Sequence, residues 1–343
     1  MQKSEVLVEA ARTAVVEKPP SLDALLGLAK ADMAAVDGLI RRHMDSPVPV
    51  IPALAEHLIS GSAKRLRPLL TVAAARLAGA RDDACLKLAA AVEFIHTATL
   101  LHDDVVDSSQ LRRGRVAAHL IWGAPSSVLV GDFLFARAFE LMVGANSMPA
   151  LEILARASRV IAEGEVLQLT RSHDLDLTEA LYIDIIRAKT AELFAAAAEA
   201  GAVSAGAPPE RRRALRKYGQ DLGLAFQLVD DALDYSGESD ELGKNPGDDF
   251  REGKATLPLL LAIARTGPAE REFWLRTVDR REQADGDFER VRELMRQTGA
   301  LQDTLDRAQA YAESAKAALA EFPAIGWRPA LEDLADFAVA RKA

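Results

Sequence analysis

Glu93-Phe94-Ile95-His96-Thr97-Ala98-Thr99-Leu100-Leu101-His102-Asp103-Asp104-Val105-Val106-Asp107 closes a stretch, 86–106, that is apolar nearly all round. Such a pattern predicts a helix buried on every side. The helix ends in carboxylates. A second stretch, 222–235, is built the same way and ends in Asp230-Asp231-Ala232-Leu233-Asp234. Both endings have the form D-D-x-x-D. On a helix Asp103 and Asp107 are four residues apart and Asp104 and Asp107 three, so the carboxylates share a face. Asp230, Asp231 and Asp234 repeat that spacing.

Helical spacing continues outward from these two stretches. Leu22, Leu25, Leu26, Ala29, Met33, Val36, Leu39 and Ile40 recur at helical intervals after Pro19-Pro20 and a capping Ser21. Further helical patterns fall at roughly 52–60, 66–79, 84–108, 115–122, 125–143, 149–170, 178–200, 209–235, 255–265, 269–282, 287–298 and 301–321, divided by Gly, Pro or polar clusters. No alternating strand pattern stands out. The spacing predicts an exposed leader over 1–20 and one all-α domain over 21–343, with roughly ten to thirteen helices.

Composition agrees with that fold class. Of 343 residues 49% are hydrophobic and only 5% aromatic, with Ala and Leu dominant, which favours helix over sheet. A net charge of −9 argues against nucleic-acid binding. The one cysteine, Cys85, excludes an internal disulfide and a cysteine-rich metal site, and fits a reducing, cytoplasmic setting. No signal-peptide core follows Met1. No uninterrupted apolar run reaches ~18 residues, so stable membrane insertion is not expected.

The paired acidic turns carry the chemistry. Like charges on one helical turn repel, and burying them without partners costs several kcal/mol each or forces protonation. A lone D-D-x-x-D is more often a solvated helix end. Here both clusters follow apolar turns (Val92, Phe94, Ile95, Leu100, Leu101 and Leu222, Leu224, Phe226, Leu228), and a buried helix that ends twice in one pattern points to function. Mg²⁺ takes oxygen ligands and is usually held by one or two carboxylates plus substrate phosphates. Two such turns facing each other hold a polyphosphate through bridging Mg²⁺. Cations lie nearby in sequence: Lys64-Arg65-Leu66-Arg67-Pro68, Arg112-Arg113, Lys189, Lys244 and Lys254. Arg offers phosphate a planar fork and Lys a point charge. His96, seven residues before Asp103, falls on the same face two turns earlier.

Taken in order, these segments resemble the trans-isoprenyl diphosphate synthases, most closely the long-chain polyprenyl diphosphate synthases. The resemblance rests on K-R-L-R-P (64–68), E-F-I-H-T-A-T-L-L-H-D-D-V-V-D (93–107), L-R-R-G (111–114), V-L-V-G-D-F-L (128–134), K-T (189–190), F-Q-L-V-D-D-A-L-D-Y (226–235) and G-K-x-x-G-D-D-x-x-x-G-K (243–254). It implies helices around a deep central cavity, and head-to-tail condensation of an allylic diphosphate with isopentenyl diphosphate. It also implies Mg²⁺, in three ions, with Asp103 and Asp107 as ligands and Asp104 in support. Asp230 would be the main ligand of the second turn, with Asp231 and Asp234 nearby, partly through water. Arg112, Lys189, Thr190, Gln227, Lys244 and Lys254 would hold the allylic substrate and its departing diphosphate. Lys64, Arg67, His96 and Arg113 would hold isopentenyl diphosphate. A homodimer is implied as well. One departure stands out: Ser62-Ala63 replaces the usual Gly-Gly, and glycine there would permit close backbone approach to phosphate.

The growing chain is expected to run down the cavity from the Asp turns. One helical turn is ~5.4 Å, near the length of one prenyl unit. Ala98 and Thr99, five and four residues before Asp103, are small where short-chain members of the family carry aromatics, and Ile95 lines the next turn. This predicts a long product of about eight to ten units, one turn per unit, suited to a quinone side chain. A shorter-chain synthase, a class I terpene cyclase and a non-catalytic subunit of a heteromeric synthase are the competing readings. The cyclase leaves Lys64 and Arg67 unexplained, and a non-catalytic subunit should lack some of the six Asp residues that are all present here. Replacing Asp103→Ala should abolish turnover of labelled isopentenyl diphosphate; retained activity would remove the metal role.

Overall fold

The computed structural model describes residues 20–59, 65–112, 114–236 and 246–341. The described residues begin with α1 (Asp23–His43), α2 (Val50–Ile59), α3 (Leu66–Leu77) and α4 (Ala84–Val106). A short hairpin, β1 (Leu111–Arg112) and β2 (Arg115–Val116), leads to α5 (Ala118–Trp122), α6 (Ala124–Gly144) and α7 (Met148–Thr170). Next come α8 (Glu179–Ile186), a π-helical turn (Arg187–Ala191), α9 (Glu192–Ser204) and α10 (Pro209–Ser236). The remainder is α11 (Asp248–Glu252), α12 (Leu257–Arg265), α13 (Pro268–Trp274) with a second π turn (Leu275–Asp279), α14 (Asp287–Thr298), α15 (Ala300–Ala318) and α16 (Trp327–Val339). The all-α expectation holds.

Local chemistry sets the boundaries. Ser147 caps α7 by accepting from the Ala150 amide, and Thr178 caps α8 by accepting from the Leu181 amide. The end of α4 is decided by backbone. Ser108 takes a left-handed φ of 54°, its amide donates to the Val105 carbonyl, and the Ser109 amide donates to the Asp104 carbonyl. This is a Schellman ending with serine in the usual glycine place. It turns the chain directly into the hairpin, where the register Leu111↔Val116 and Arg112↔Arg115 brings Arg112 back beside the Asp turn. The helix expected over 115–122 therefore starts only at Ala118, and the helix expected over 178–200 is interrupted by the π turn. Hydrophobic spacing reports neither a two-residue strand nor one extra residue per turn.

Two apolar clusters form the core. One gathers α1 to α7, α9, the end of α15 and α16; the other gathers α8, α11 to α14 and the start of α15. The helix α10 serves both, with Leu222 and Ala225 in the first and Leu224, Leu228 and Val229 in the second. The helix α4 is long and apolar enough to cross a membrane, yet its residues from Cys85 to Ala98 are almost all buried against protein. Apolar packing thus surrounds both helices that carry Asp turns.

Two glycines admit the π turn. A Cβ on Gly164 of α7 would lie 2.8 Å from Ala188 Cβ, and one on Gly223 of α10 would lie 2.7 Å from Ala191 Cα. The π turn is wedged between these two helices at backbone distance. Gly223→Ala should destabilise the fold by about 1–3 kcal/mol through overpacking. Gly27→Ala, with nothing within 4 Å of the added carbon, should stabilise it by about 0.5–1 kcal/mol through helix propensity. Urea denaturation of both variants checks the contrast.

Candidate active site

One cavity of about 720 Å³ opens between the two Asp turns. The helix α4 lines it with His96, Thr99, Leu100, Asp103 and Asp107, and α10 lines it with Phe226, Gln227, Asp230, Asp231 and Asp234. The side wall is Ile161, Glu165 and Gln168 of α7 together with Lys189 and Thr190 of the π turn. Arg67 from α3, Arg112 from the hairpin, Lys254 after α11 and Arg341 after α16 complete it. The structure thus gathers residues up to 276 positions apart, Arg65 to Arg341, around one hollow.

Three predicted site residues are placed elsewhere. Asp104 is fully buried and absent from the wall. Successive helical residues are turned by about 100°, so Asp104 points aside from Asp103. Its Oδ1 accepts from Arg112 Nε at 2.7 Å and also from Nη2, while its Oδ2 is buried with no partner among the described residues. Asp104 therefore aims Arg112 and does not face the cavity. Ala98 and Ile95 are likewise fully buried in the core and off the wall, Ala98 lying about 140° round the helix from Asp103. Of the three chain-length candidates only Thr99 lines the cavity. Lys64, Arg113 and Lys244, the Ser62-Ala63 pair and leader residues 1–19 lie outside the described residues.

The carboxylates differ in their counter-charge. Lys254 Nζ lies 2.8 Å from Asp107 Oδ2 and 2.7 Å from Glu252 Oε2. Burial raises the pKa of Asp107, but Lys254, Lys189 and Arg112 outweigh it and hold the group below its ordinary value. Asp103 shifts the other way. Burial pushes it up, Lys189 only partly offsets this, and the charge of Asp107 adds to it. Lys189 is engaged by Glu165, 2.7 Å away, which burial also raises. On the opposite wall Arg341 Nη1 donates to Asp230 Oδ1 at 2.6 Å while its guanidinium lies 4.0 Å over the Phe226 ring. Asp234 Oδ2 accepts from the Asp249 amide at 3.1 Å and so anchors the start of α11. Arg67 is held between His96 Nε2 at 3.1 Å and the face of Phe194 at 4.2 Å.

The donor set fits Mg²⁺. It is made of carboxylate oxygens, the ligand this ion prefers. Asp103, half-buried and with its pKa raised by desolvation and by Asp107, is a group that a cation would relieve. Among the described residues no three His, Cys, Asp or Glu side chains converge to hold an ion by themselves. The acids are divided between two walls, an arrangement suited to ions shared with a diphosphate.

Arg341, Glu165 and Tyr182 are wall residues that sequence reasoning passed over. Arg341 stands alone near the C-terminus, outside any motif. Glu165 did carry a signal, since it follows Ile161 by one turn on the buried side of α7. Tyr182 had none.

Arginine and lysine facing paired acidic turns across a partly apolar hollow define a helical enzyme of diphosphate chemistry. The comparisons place it further. The family model described as Polyprenyl synthetase matches residues 48–295, and the chain belongs to that family. It is 46% identical over 323 residues to octaprenyl diphosphate synthase of Escherichia coli (strain K12), covering 94% of this chain and 99% of that one. Among solved structures, polyprenyl synthase from Caulobacter crescentus CB15, complexed with calcium and isoprenyl diphosphate, superposes with a TM-score of 0.93 at 72% identity, covering 95% of this chain and 100% of that one. A decaprenyl diphosphate synthase from Rhodobacter capsulatus gives 0.90 at 53%, covering 94% and 99%. The chain is a trans-prenyltransferase of a Mg²⁺-dependent family.

Asp231 yields a pH prediction. Burial, with the nearby charge of Asp249, pushes its pKa up to about 7. The folded, metal-free protein therefore binds this proton more tightly than the unfolded chain, whose Asp titrates near 3.9. The stabilisation is complete below the unfolded value and is lost as pH rises through the folded one. Chelator-treated protein should lose melting temperature between pH 5 and 8 relative to Asp231→Asn, which cannot titrate there. Parallel melting curves for the two proteins would refute the assignment.

Proposed function

We propose that this chain extends an allylic diphosphate with isopentenyl diphosphate to a long all-trans polyprenyl diphosphate of about eight to ten units, as the names of its octaprenyl and decaprenyl relatives also indicate. The observation that carries the length is Thr99. It lines the cavity one turn below Asp103, and its hydroxyl donates to the His96 carbonyl at 2.8 Å. The position is thus small, and its donor is already satisfied within the helix. Ile161, Leu177, Ile185 and Ile186 extend the wall as apolar surface, which Tyr182, Phe226 and Phe337 share.

Arg112, Lys189 and Lys254 bind the allylic diphosphate, and Arg67 with His96 places isopentenyl diphosphate beside it. Asp103, Asp107 and Asp230 would hold Mg²⁺, proposed as three ions, which would supply charge neutralisation for the departing pyrophosphate. Breaking of the allylic C–O bond leaves a delocalised cation, and the basic side chains stabilise the charge gathering on the leaving group. The isopentenyl double bond, held close, forms the new C–C bond. Loss of one proton to the released pyrophosphate restores the alkene. The apolar wall keeps water from the cation.

The reading extends to assembly and setting. The helix α6 buries Val130, Leu134, Ala138 and Met142 and exposes Leu129, Phe139 and Val143 on its other side. A helix apolar on both sides calls for a partner, and a second copy of the chain is the partner proposed. The setting is cytoplasmic, with a product suited to a quinone side chain.

Purified chain incubated with labelled isopentenyl diphosphate and several allylic starters should give mainly products of about eight to ten units by mass spectrometry, as in the named relatives; products of geranylgeranyl length or shorter would overturn the assignment. Thr99→Phe should shorten the main product by several units while initial turnover of the starter persists. Ala98→Phe tests another path: equal shortening there would route the growing chain behind the present wall.

A further inference from the structure

Asp231 differs from its neighbours in the second Asp turn. Asp230 keeps 32% of its side chain exposed, whereas Asp231 is 3% exposed and both its oxygens are engaged by neutral donors. The Tyr182 hydroxyl donates to Oδ2, and Gln227 Nε2 donates to Oδ1 at 2.7 Å. Gln227 Oε1 in turn accepts from the Thr190 hydroxyl at 2.8 Å. Tyr182, itself 3% exposed, precedes the π turn, and Thr190 lies inside it. One buried carboxylate is thus tied to the chain on both sides of Lys189. The π turn also meets α7 through Lys189 on Glu165 at 2.7 Å and packs closely on Gly164 and Gly223; the Asp231 relay is what joins it by side-chain hydrogen bonds to the second Asp turn.

We propose that Tyr182 and Asp231 are positioning residues: together they pin the π turn to the second Asp turn, and so set where Lys189 and Thr190 meet the allylic diphosphate. In this assignment Asp231 serves the diphosphate through Tyr182 and Gln227, and the metal requirement rests on Asp230 and the first turn. The inference depends on the proposed reading that Lys189 and Thr190 hold the allylic substrate. A phenol buried against a carboxylate has no packing reason to be a tyrosine, since phenylalanine fills the same space without a group that needs a partner.

The test uses full-length Tyr182→Phe, Thr190→Val, their double variant and Asp230→Asn, each checked for an unchanged fold by melting curve. Tyr182→Phe should raise the KM for the allylic diphosphate about tenfold, the loss expected for a hydrogen bond to a charged group. It should leave the KM for isopentenyl diphosphate and the Mg²⁺ concentration for half-maximal rate within about twofold. The double variant should be no more impaired than the worse single within about twofold, because both act through one relay. Asp230→Asn should raise the Mg²⁺ requirement. An unchanged allylic KM in Tyr182→Phe, a shift of its Mg²⁺ requirement like that of Asp230→Asn, or fully multiplicative losses in the double variant would each overturn the proposal. If Thr190→Val leaves the allylic KM unchanged, the substrate reading beneath it fails instead.

Discussion

Everything in this structure turns on carboxylates brought together at the ends of two apolar helices. Such helices must be buried, and burial removes the water that would otherwise screen their acidic ends. The protein cannot hide the charge and cannot leave it unpaired. It surrounds the acids with basic side chains drawn from α3, the hairpin, the π turn, the segment after α11 and the C-terminus. The cavity follows from the same constraint, since two mutually repelling turns leave a gap that only cations and a polyanion fill together.

Counter-charge is shared out unevenly, and this gives the site its chemistry. Asp107 has Lys254 and stays ionised below its ordinary range, while Asp103, next to it on the same face, is left with too little positive charge. Asp104 spends its charge on Arg112, Asp234 anchors α11, and Asp231 is tied to Tyr182 and Gln227. Six aspartates of one repeated pattern therefore do different work. Their neighbours on other elements, and not their place in the motif, decide which of them faces substrate.

Much of the site was legible in the sequence because helix geometry is local. Spacing of three and four residues places Asp103 and Asp107 on one face, and the same rule puts His96 and Thr99 below them, as the cavity wall shows. The rule also shows where the reading went too far. A turn of about 100° per residue sends Asp104 aside, although the D-D-x-x-D spacing selected it, and turns Ala98 and Ile95, selected by counting back from the Asp turn, into the core. Apolar residues of a helix buried on all sides look alike in sequence, so the pattern does not say which side meets a hollow and which meets a neighbouring helix.

The sequence by itself determined the fold class, the two acidic turns and the kind of ligand they need. Periodicity, helix-ending residues and like-charge repulsion operate within a few residues of one another. Only the tertiary structure decided the partners: Arg341 on Asp230, Lys254 on Asp107, Glu165 on Lys189 and Tyr182 on Asp231. These contacts join residues from 24 to 147 positions apart. Their existence depends on close approaches such as those at Gly164 and Gly223, on the π turn between them and on the left-handed Ser108 that starts the hairpin. Such features are settled by packing between distant elements, and hydrophobic spacing along the chain carries no record of them.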